Sequence, residues 1–501
     1  MRTAPPPRGQ SPVGGQNDLV LQPPLARLSP ARRTDASAGA PLLDPFAGLP
    51  AAEAPLVAFL QEAASDLSRW LASAGSSTPL PLPQPPLESA PHRHGLPPHQ
   101  LLADLRRVME GAYNPSHPGA LAHLDPPPLT AAIAAEMVCA GLNNNLLAEE
   151  LSPGLSRLER DLCRWLARSL GMPAGAGGVP ASGGSLSNLM ALVTARRCRG
   201  LAGRSDAVVL CGADAHVSLD KALMVMGLPP ESLLRLPLDP QGRLESGHVA
   251  EQLDGLHRRG IPVIAVVATA GTTVRGAIDP LAELAAVCRQ RRQWLHVDGA
   301  IGAVFALGTA VPPALEGLGQ ADSLTVNPQK LLGIPKTSSL LLLAEPQALG
   351  RTFGTGLPYM EPPDDGEHGG EAGLQGTRPA EILKLWLGLR QLGFEGIDAL
   401  LRGALARCRT LETLLEPAAG RLVCCGGPLH LLAFTPAGGD ASAAEAWSQR
   451  TRASLLEANL MLSRPLHHGR RHLKAVLGNP YTRPADLEHL ATIVIDSLPP
   501  R

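Results

Sequence analysis

The sequence predicts an α/β fold in which a largely parallel sheet is covered by helices on both faces and followed by a smaller α+β unit. Two observations carry this reading. From about residue 100 onward, short apolar runs alternate with amphipathic helical stretches. The apolar runs are continuous, with no polar residue at every second position, which is the pattern of strands buried on both faces.

Taken in order, residues 1–50 are rich in Pro, Gly, Ala and Ser, and residues 78–99 (TPLPLPQPPLESAPHRHGLPPH) are again dominated by Pro. Such segments cannot build a core and are expected to be disordered or extended. Between them Leu56, Phe59, Leu60, Ala63, Leu67, Trp70 and Leu71 recur at helical spacing. One amphipathic helix over about 53–74 is therefore expected, packed on the main body or on a partner subunit. Residues 1–100 form an N-terminal extension, 101–390 a large domain and 391–501 a small C-terminal domain.

In the large domain Leu155, Leu158, Leu162, Trp165, Leu166 and Leu170 mark a helix that ends near Gly171 and Pro173. The runs AVVLC (207–211), VIAVVA (263–268), WLHVD (294–298), SLTV (323–326) and SLLLLA (339–344) read as buried strands, and 279–292 as a helix. EILKLWLGLRQLG (381–393) and then 397–416 form a long helical region leading into the small domain. No internal repeat is evident.

Composition narrows the partners. The chain has 501 residues, 44 basic and 45 acidic, so it offers no field to attract nucleic acid or an anionic membrane. Arg196-Arg197 and Arg470-Arg471 read as solvated surface. The eight cysteines show no CxxC pair or Cys/His zinc spacing, so no metal is expected and a reduced, cytoplasmic setting fits. No apolar stretch approaches the ~18 residues needed to cross a bilayer.

In open α/β folds ligands collect at the C-terminal ends of the strands, and several polar residues fall there. Lys330, in Asn327-Pro328-Gln329-Lys330, follows SLTV and precedes Leu331-Leu332-Gly333. An apolar pocket would lower its pKa and suit it to form a Schiff base. Asp298 ends the strand of His296-Val297-Asp298-Gly299-Ala300. A carboxylate there can pair with the ring nitrogen of pyridoxal phosphate (PLP) and preserve the ring as an electron sink. Residues 182–188 (SGGSLSN) open the helix around Leu189–Arg197, where glycines, hydroxyls and the helix dipole can cradle a phosphate. His216 follows AVVLC and can stack on a cofactor ring and assist proton transfer. Thr269, in TAGTT (269–273), follows VIAVVA. Each residue alone has an ordinary structural explanation. Their occurrence in one order on successive strand ends points to a PLP site.

The set SGGSLSN, HVSLDKA (216–222), TAGTT, HVDGA (296–300) and NPQK (327–330) resembles the PLP-dependent group II amino-acid decarboxylases. That group includes the glutamate, aromatic-amino-acid, cysteine-sulfinate and 2,4-diaminobutyrate decarboxylases. SPGLSRLERDLCRWL (152–166), EILKLWLGLRQLG and LKAVLGNPYT (473–482) extend the resemblance over roughly residues 100–500. It implies the aspartate-aminotransferase-like fold (fold type I) and a homodimer with active sites at the subunit interface. By motif, Lys330 is the Schiff-base lysine, Asp298 the pyridinium partner, His216 the stacking residue and Ala300 the opposite ring face. Gly184 and Ser185 fall in the phosphate cradle, with Asn327, Gln329 and Thr269 as further contacts. The reaction implied is decarboxylation through an external aldimine, releasing CO2 and an amine.

Three positions depart from the group's pattern. Gln329 stands where His is usual. Lys474 replaces an Arg and keeps the charge for a substrate carboxylate, but not the bidentate fork. The expected lid, 360–379 (MEPPDDGEHGGEAGLQGTRP), lacks the proton-donating Tyr, for which Tyr359 or His368 are the candidates. The segment 117–145, with His117, His123 and Asn143–Asn145, is expected to contribute to the substrate pocket. With 3% aromatic residues, a small polar amino acid is favoured, 2,4-diaminobutyrate first and aspartate or glutamate next. Transamination, carbon–carbon lyase chemistry and a non-catalytic binding or scaffold role use the same residues and stay open on sequence alone.

Overall fold

The computed structural model describes residues 53–363 and 368–499, together with Leu43 and residues 46–48. The disorder expected of residues 1–50 therefore falls almost wholly outside the described residues. The Pro-rich segment that follows is irregular as far as Pro97. Before it, α1 (Glu53–Ala72) forms and docks on α2 (Pro98–Glu110). Arg106 of α2 bonds both Asp66 (2.6 Å) and Glu62 (2.9 Å), and Asn114 Nδ2 donates to the Trp70 carbonyl. The helix thus packs on its own chain.

Next come α3 (Thr130–Leu142) and α4 (Pro153–Ser169). The large domain then runs through β1 (Gly177–Ala181), α5 (Gly184–Cys198), β2 (Val208–Gly212), α6 (Ser218–Val225) and β3 (Leu233–Leu236). It continues with α7 (Ser246–Arg258), β4 (Val263–Thr269), α8 (Leu281–Gln290), β5 (Leu295–Gly299), β6 (Ser323–Val326), β7 (Ser339–Leu343) and α9 (Gln347–Phe353). The seven strands form one sheet in the order β1-β7-β6-β5-β4-β2-β3. Only β7 runs against the others, pairing antiparallel with both β6 and β1. The reason is the short connection: twelve residues between β6 and β7 hold one helical turn, Pro328–Lys330, and no crossover helix.

Two strands, β1 and β3, escaped the sequence reading. Gly-Gly-Val-Pro-Ala and Leu-Leu-Arg-Leu lack the continuous apolar runs that mark the others. Both are edge strands, where Pro180 is tolerated.

Successive residues of each inner strand face opposite helical layers. Val208, Leu210, Val266, Val297, Leu324 and Leu342 pack with α4, α7, α8 and the long helix α10 (Ile382–Leu415). Val209, Cys211 and Val267 face α5 and α6. Fully buried leucines such as Leu324 and Leu342 contribute about 1.5–3 kcal/mol each.

Helix α10 is broken at Gly393, whose φ of 59° lies in the left-handed region. This break lies next to the 390/391 boundary expected from the sequence. Beyond it lie β8 (Leu422–Gly426), β9 (Leu431–Pro436), α11 (Ala441–Glu457), a two-rung hairpin of β10 (Leu466–His467) and β11 (Arg470–Arg471), β12 (Leu473–Val476) and α12 (Pro484–Asp496). Strands β12, β9 and β8 form an antiparallel sheet.

The segment expected to be a mobile lid is strapped down in its second half. Leu146 N donates to the Arg378 carbonyl (2.9 Å) and Gly370 N to the Leu147 carbonyl (3.0 Å). Arg378 forms a bidentate pair with Glu159 of α4, both residues being 6% exposed. Replacing Arg378 with Met leaves Glu159 buried and unpaired, and is expected to cost about 3–5 kcal/mol in urea unfolding. The double variant Glu159→Leu/Arg378→Met should recover most of that loss.

Candidate active site

Because β2, β4, β5 and β6 are parallel, their C-terminal ends lie on one edge of the sheet. Thr269, Asp298 and Thr325 are register partners across β4, β5 and β6. A cleft opens there. Gly184 and Ser185 line it from the start of α5, His216 from the turn after β2, and Thr269 from β4. Asp298 and Ala300 line it from β5, and Asn327, Gln329 and Lys330 from the turn after β6. The residues expected to contact cofactor are thus brought together.

The start of α5 is built for close approach. Gly183 adopts φ 122°, which a residue with a side chain rarely accepts. A Cβ on Gly184 would lie 3.1 Å from Asn327 Nδ2 and 3.7 Å from the Ala300 methyl. Asn327 is buried and held by Ser339, whose hydroxyl donates to its Oδ1 at 2.7 Å. The first-turn N–H groups of α5 and its positive dipole end therefore border the cleft without a side chain in the way. This cradle, with a carboxylate and an amine in the same cleft, fits a phosphorylated pyridine aldehyde.

Asn188, one turn into α5 and on the same helix face as Gly184, organises the carboxylate. Its Nδ2 donates to Asp298 Oδ2 (2.8 Å) and Ser218 Oγ (2.9 Å). Its Oδ1 accepts from Thr325 Oγ1 (2.7 Å) and faces His296 Nε2 (3.1 Å). With the amide nitrogen committed to a carboxylate, Oδ1 must accept from His296, so that ring carries its proton on Nε2. Its Nδ1 then accepts from the Ser323 hydroxyl at 2.9 Å. Burial pushes the His296 pKa down to about 4, so the ring is a neutral strut. Asp298 Oδ1 also accepts from Ala300 N (3.2 Å). Nothing local in SGGSLSN marks Asn188 for this role, because its partners Asp298 and His296 lie more than a hundred positions away.

Lys330 is partly buried, and desolvation lowers its pKa, opposed by the charges of Asp298 and Asp125. Burial also lowers the His216 pKa, and His216 Nδ1 accepts from Ser218 N at 3.2 Å. Gln329 Oε1 accepts from Ser338 N. Lys474 lies on β12, buried, with Nζ donating to the carbonyl of Thr273, a residue of the cleft wall (3.2 Å). Desolvation and the nearby Lys330 push its pKa down to about 8.

Tyr359 and His368 are not brought to this cleft. Tyr359 is exposed. His368 is buried, with Nδ1 accepting from Glu149 N (3.2 Å), because the strap described above carries it along residues 145–149. Of the 117–145 segment, His117 caps its own turn at Gly119 N, and Asn145 receives Leu147 N and Arg378 N. His123 instead lies near Lys474 and Asp125, and Asp125 is paired with Lys336 (2.5 Å). Asp125 had no signal in the sequence, since one carboxylate in HLDPPP carries no spacing pattern.

Comparison with known proteins agrees with this geometry. Residues 83–435 match the pyridoxal-dependent decarboxylase conserved domain. The chain is 33% identical over 403 residues to the L-2,4-diaminobutyrate decarboxylase of Rhizobium meliloti (strain 1021), covering 77% of this chain and 79% of that protein. It is 31% identical over 352 residues to the aromatic-L-amino-acid decarboxylase of Bacillus atrophaeus, covering 69% of this chain and 73% of that one. The crystal structure of mouse CSAD superposes with a TM-score of 0.82 at 24% identity, over 89% of this chain and 98% of that one. The fold is therefore fold type I of the PLP-dependent enzymes. The chain belongs to the pyridoxal-dependent decarboxylase family, and is a PLP-dependent amino-acid decarboxylase.

Removing the Asn188 amide leaves Asp298, His296 and Thr325 short of buried partners. Asn188→Ala is expected to cost about 1–3 kcal/mol of stability in urea unfolding and to weaken PLP retention on dialysis. A variant that matches the parent in both measurements would refute this role.

Proposed function

We propose that the chain decarboxylates a small polar L-amino acid, with 2,4-diaminobutyrate as first candidate and aspartate or glutamate next, using the cleft residues in the roles read from the sequence. The observation that carries the roles is the convergence of Lys330, Asp298, His216 and the α5 cradle in one cleft. Bound PLP supplies the electron sink that lets the bond to the carboxylate break. Gly184, Ser185 and the first turn of α5 hold its phosphate, and Asn327 shapes the cradle behind them. Asp298, held by Asn188, keeps a proton on the ring nitrogen. His216 and Ala300 cover the ring. Lys330, with its lowered pKa, would hold the cofactor through Nζ and can carry a proton there. Lys474 receives the substrate carboxylate.

Two observations support diaminobutyrate. One is the 33% identity to the Rhizobium enzyme. The other is Asp125, whose charge reaches Lys330 and which could take a side-chain ammonium in exchange for its present partner Lys336. Tyr359 and His368 do not reach the cleft of their own chain, so a proton-delivering role for either is proposed only across the interface of a homodimer with interface active sites. A cytoplasmic location is part of the same proposal; among the described residues no helix is long and apolar enough to cross a membrane.

A CO2-release screen over acidic, basic and aromatic L-amino acids with PLP supplied tests the substrate. Asp125→Asn is expected to lower kcat/KM for diaminobutyrate by roughly 10–100-fold, the worth of one charge-assisted hydrogen bond, and to spare aspartate. A parent enzyme that prefers an aromatic substrate would overturn the assignment. Lys330→Ala should lose cofactor that borohydride fixes to the parent chain, read as fluorescence after denaturation.

The role of Lys474 has its own pH signature. Its ammonium is present below about pH 8 and lost above, so kcat/KM should fall as pH rises through 8. Lys474→Arg, which stays charged, should remove that limb. An unchanged profile would argue that Lys474 is structural.

A further inference from the structure

Outside the cleft, one cluster of donor groups joins the two domains. Asp214 lies in the turn after β2, two residues before His216, and His467 and His468 lie in the β10–β11 hairpin of the small domain. His468 Nε2 is 3.1 Å from Asp214 Oδ1, and His467 Nε2 is 3.9 Å from Asp214 Oδ2. One ligand atom from each of the three residues lies within 4.8 Å of the other two. The imidazoles stack at 3.9 Å with both Nε2 atoms directed at the same carboxylate.

We propose that Asp214, His467 and His468 bind a divalent transition-metal ion of the zinc class, which clamps the small domain to the loop that carries His216. Two imidazoles and a carboxylate are a donor set for zinc, cobalt, nickel or copper, and not for magnesium or calcium, which take oxygen ligands. A tetrahedral ion with ligands at about 2.0–2.1 Å places its donors about 3.3 Å apart. The separations found here are therefore closed by small side-chain shifts.

The ordinary alternative is a pair of histidine–aspartate ion pairs, and one observation speaks against it. Asp214 Oδ2 is buried and receives no hydrogen bond among the described residues, which is costly for a carboxylate oxygen. His467 is itself buried, 8% exposed, with its Nε2 3.9 Å from that oxygen. His472 packs edge-on to the His467 ring at 5.5 Å, with its own Nδ1 directed at the Arg470 carbonyl. His468 is 60% exposed on its side chain, which gives the ion an entry path.

The test is titration of untagged PLP-loaded protein with Co2+, followed by its visible d–d absorption, and with Zn2+ by calorimetry. One equivalent per chain is expected, with a rise in melting temperature. His468→Ala and Asp214→Asn should each weaken binding at least as much as the roughly 10–100-fold loss seen when an outer-shell partner is removed. Because His468 is exposed, its variant should keep the parent's PLP content, which separates lost ligation from misfolding. Absence of saturable binding by the parent, or equal binding by His468→Ala, overturns the proposal. Either result leaves the cleft assignments untouched, since none of the three residues lines it.

Discussion

The cleft depends on how a carboxylate is kept at the end of a buried central strand. Asp298 is 7% exposed, and a charge so placed is tolerated only if hydrogen bonds replace its water. Asn188 and the Ala300 amide provide them, and Asn188 is in turn fixed by Ser218, Thr325 and His296. These partners come from α5, α6, β5 and β6. The network therefore ties α5, the Asp298 carboxylate and the strand that leads to the Lys330 turn into one unit. A half-satisfied network of this kind would be worse than an apolar core; every donor and acceptor on Asn188 is used.

The same network explains why α5 begins as it does. Asn188 must face Asp298, and one turn earlier on that face stands Gly184, against Asn327 and Ala300. A side chain there would press on the Asn327 amide, and with glycine the backbone itself meets the cleft. The antiparallel return of β7 has a matching effect. It removes the need for a crossover helix and leaves Asn327–Lys330 as a tight turn at the sheet edge, with Ser339 at the start of β7 close enough to hold Asn327.

The small domain supplies charge. Lys474 reaches the Thr273 carbonyl from β12, and the proximity of Lys330 disfavours two ammonium groups together. An anionic substrate group between them would relieve that repulsion, which is the physical content of its proposed role. The strap from His368 to Arg378, by contrast, is held on residues 145–149 and α4. A segment of glycines and prolines reads as mobile in sequence, but the buried Arg378–Glu159 pair and the backbone bonds to Leu146 and Leu147 pin its end.

Much of this was legible without coordinates. The continuous apolar runs marked β2, β4, β5, β6 and β7, because burial on both faces leaves no room for alternation. The strand-end residues from Gly184 to Lys330 were legible because α/β topology sends every parallel strand end to one edge. The edge strands β1 and β3 were not, since Gly, Pro and Arg interrupt the apolar run there. Nor were Asp125 and the role of Asn188, whose meaning lies in neighbours more than a hundred positions away, as with Asn188 and Asp298. Local periodicity and strand-end chemistry thus determined the fold class and the candidate cofactor site. Strand direction at β7, the pinning of the strap and the meeting of Asp214 with His468 across 254 positions were decided by tertiary packing, because only packing sets which distant groups share a space.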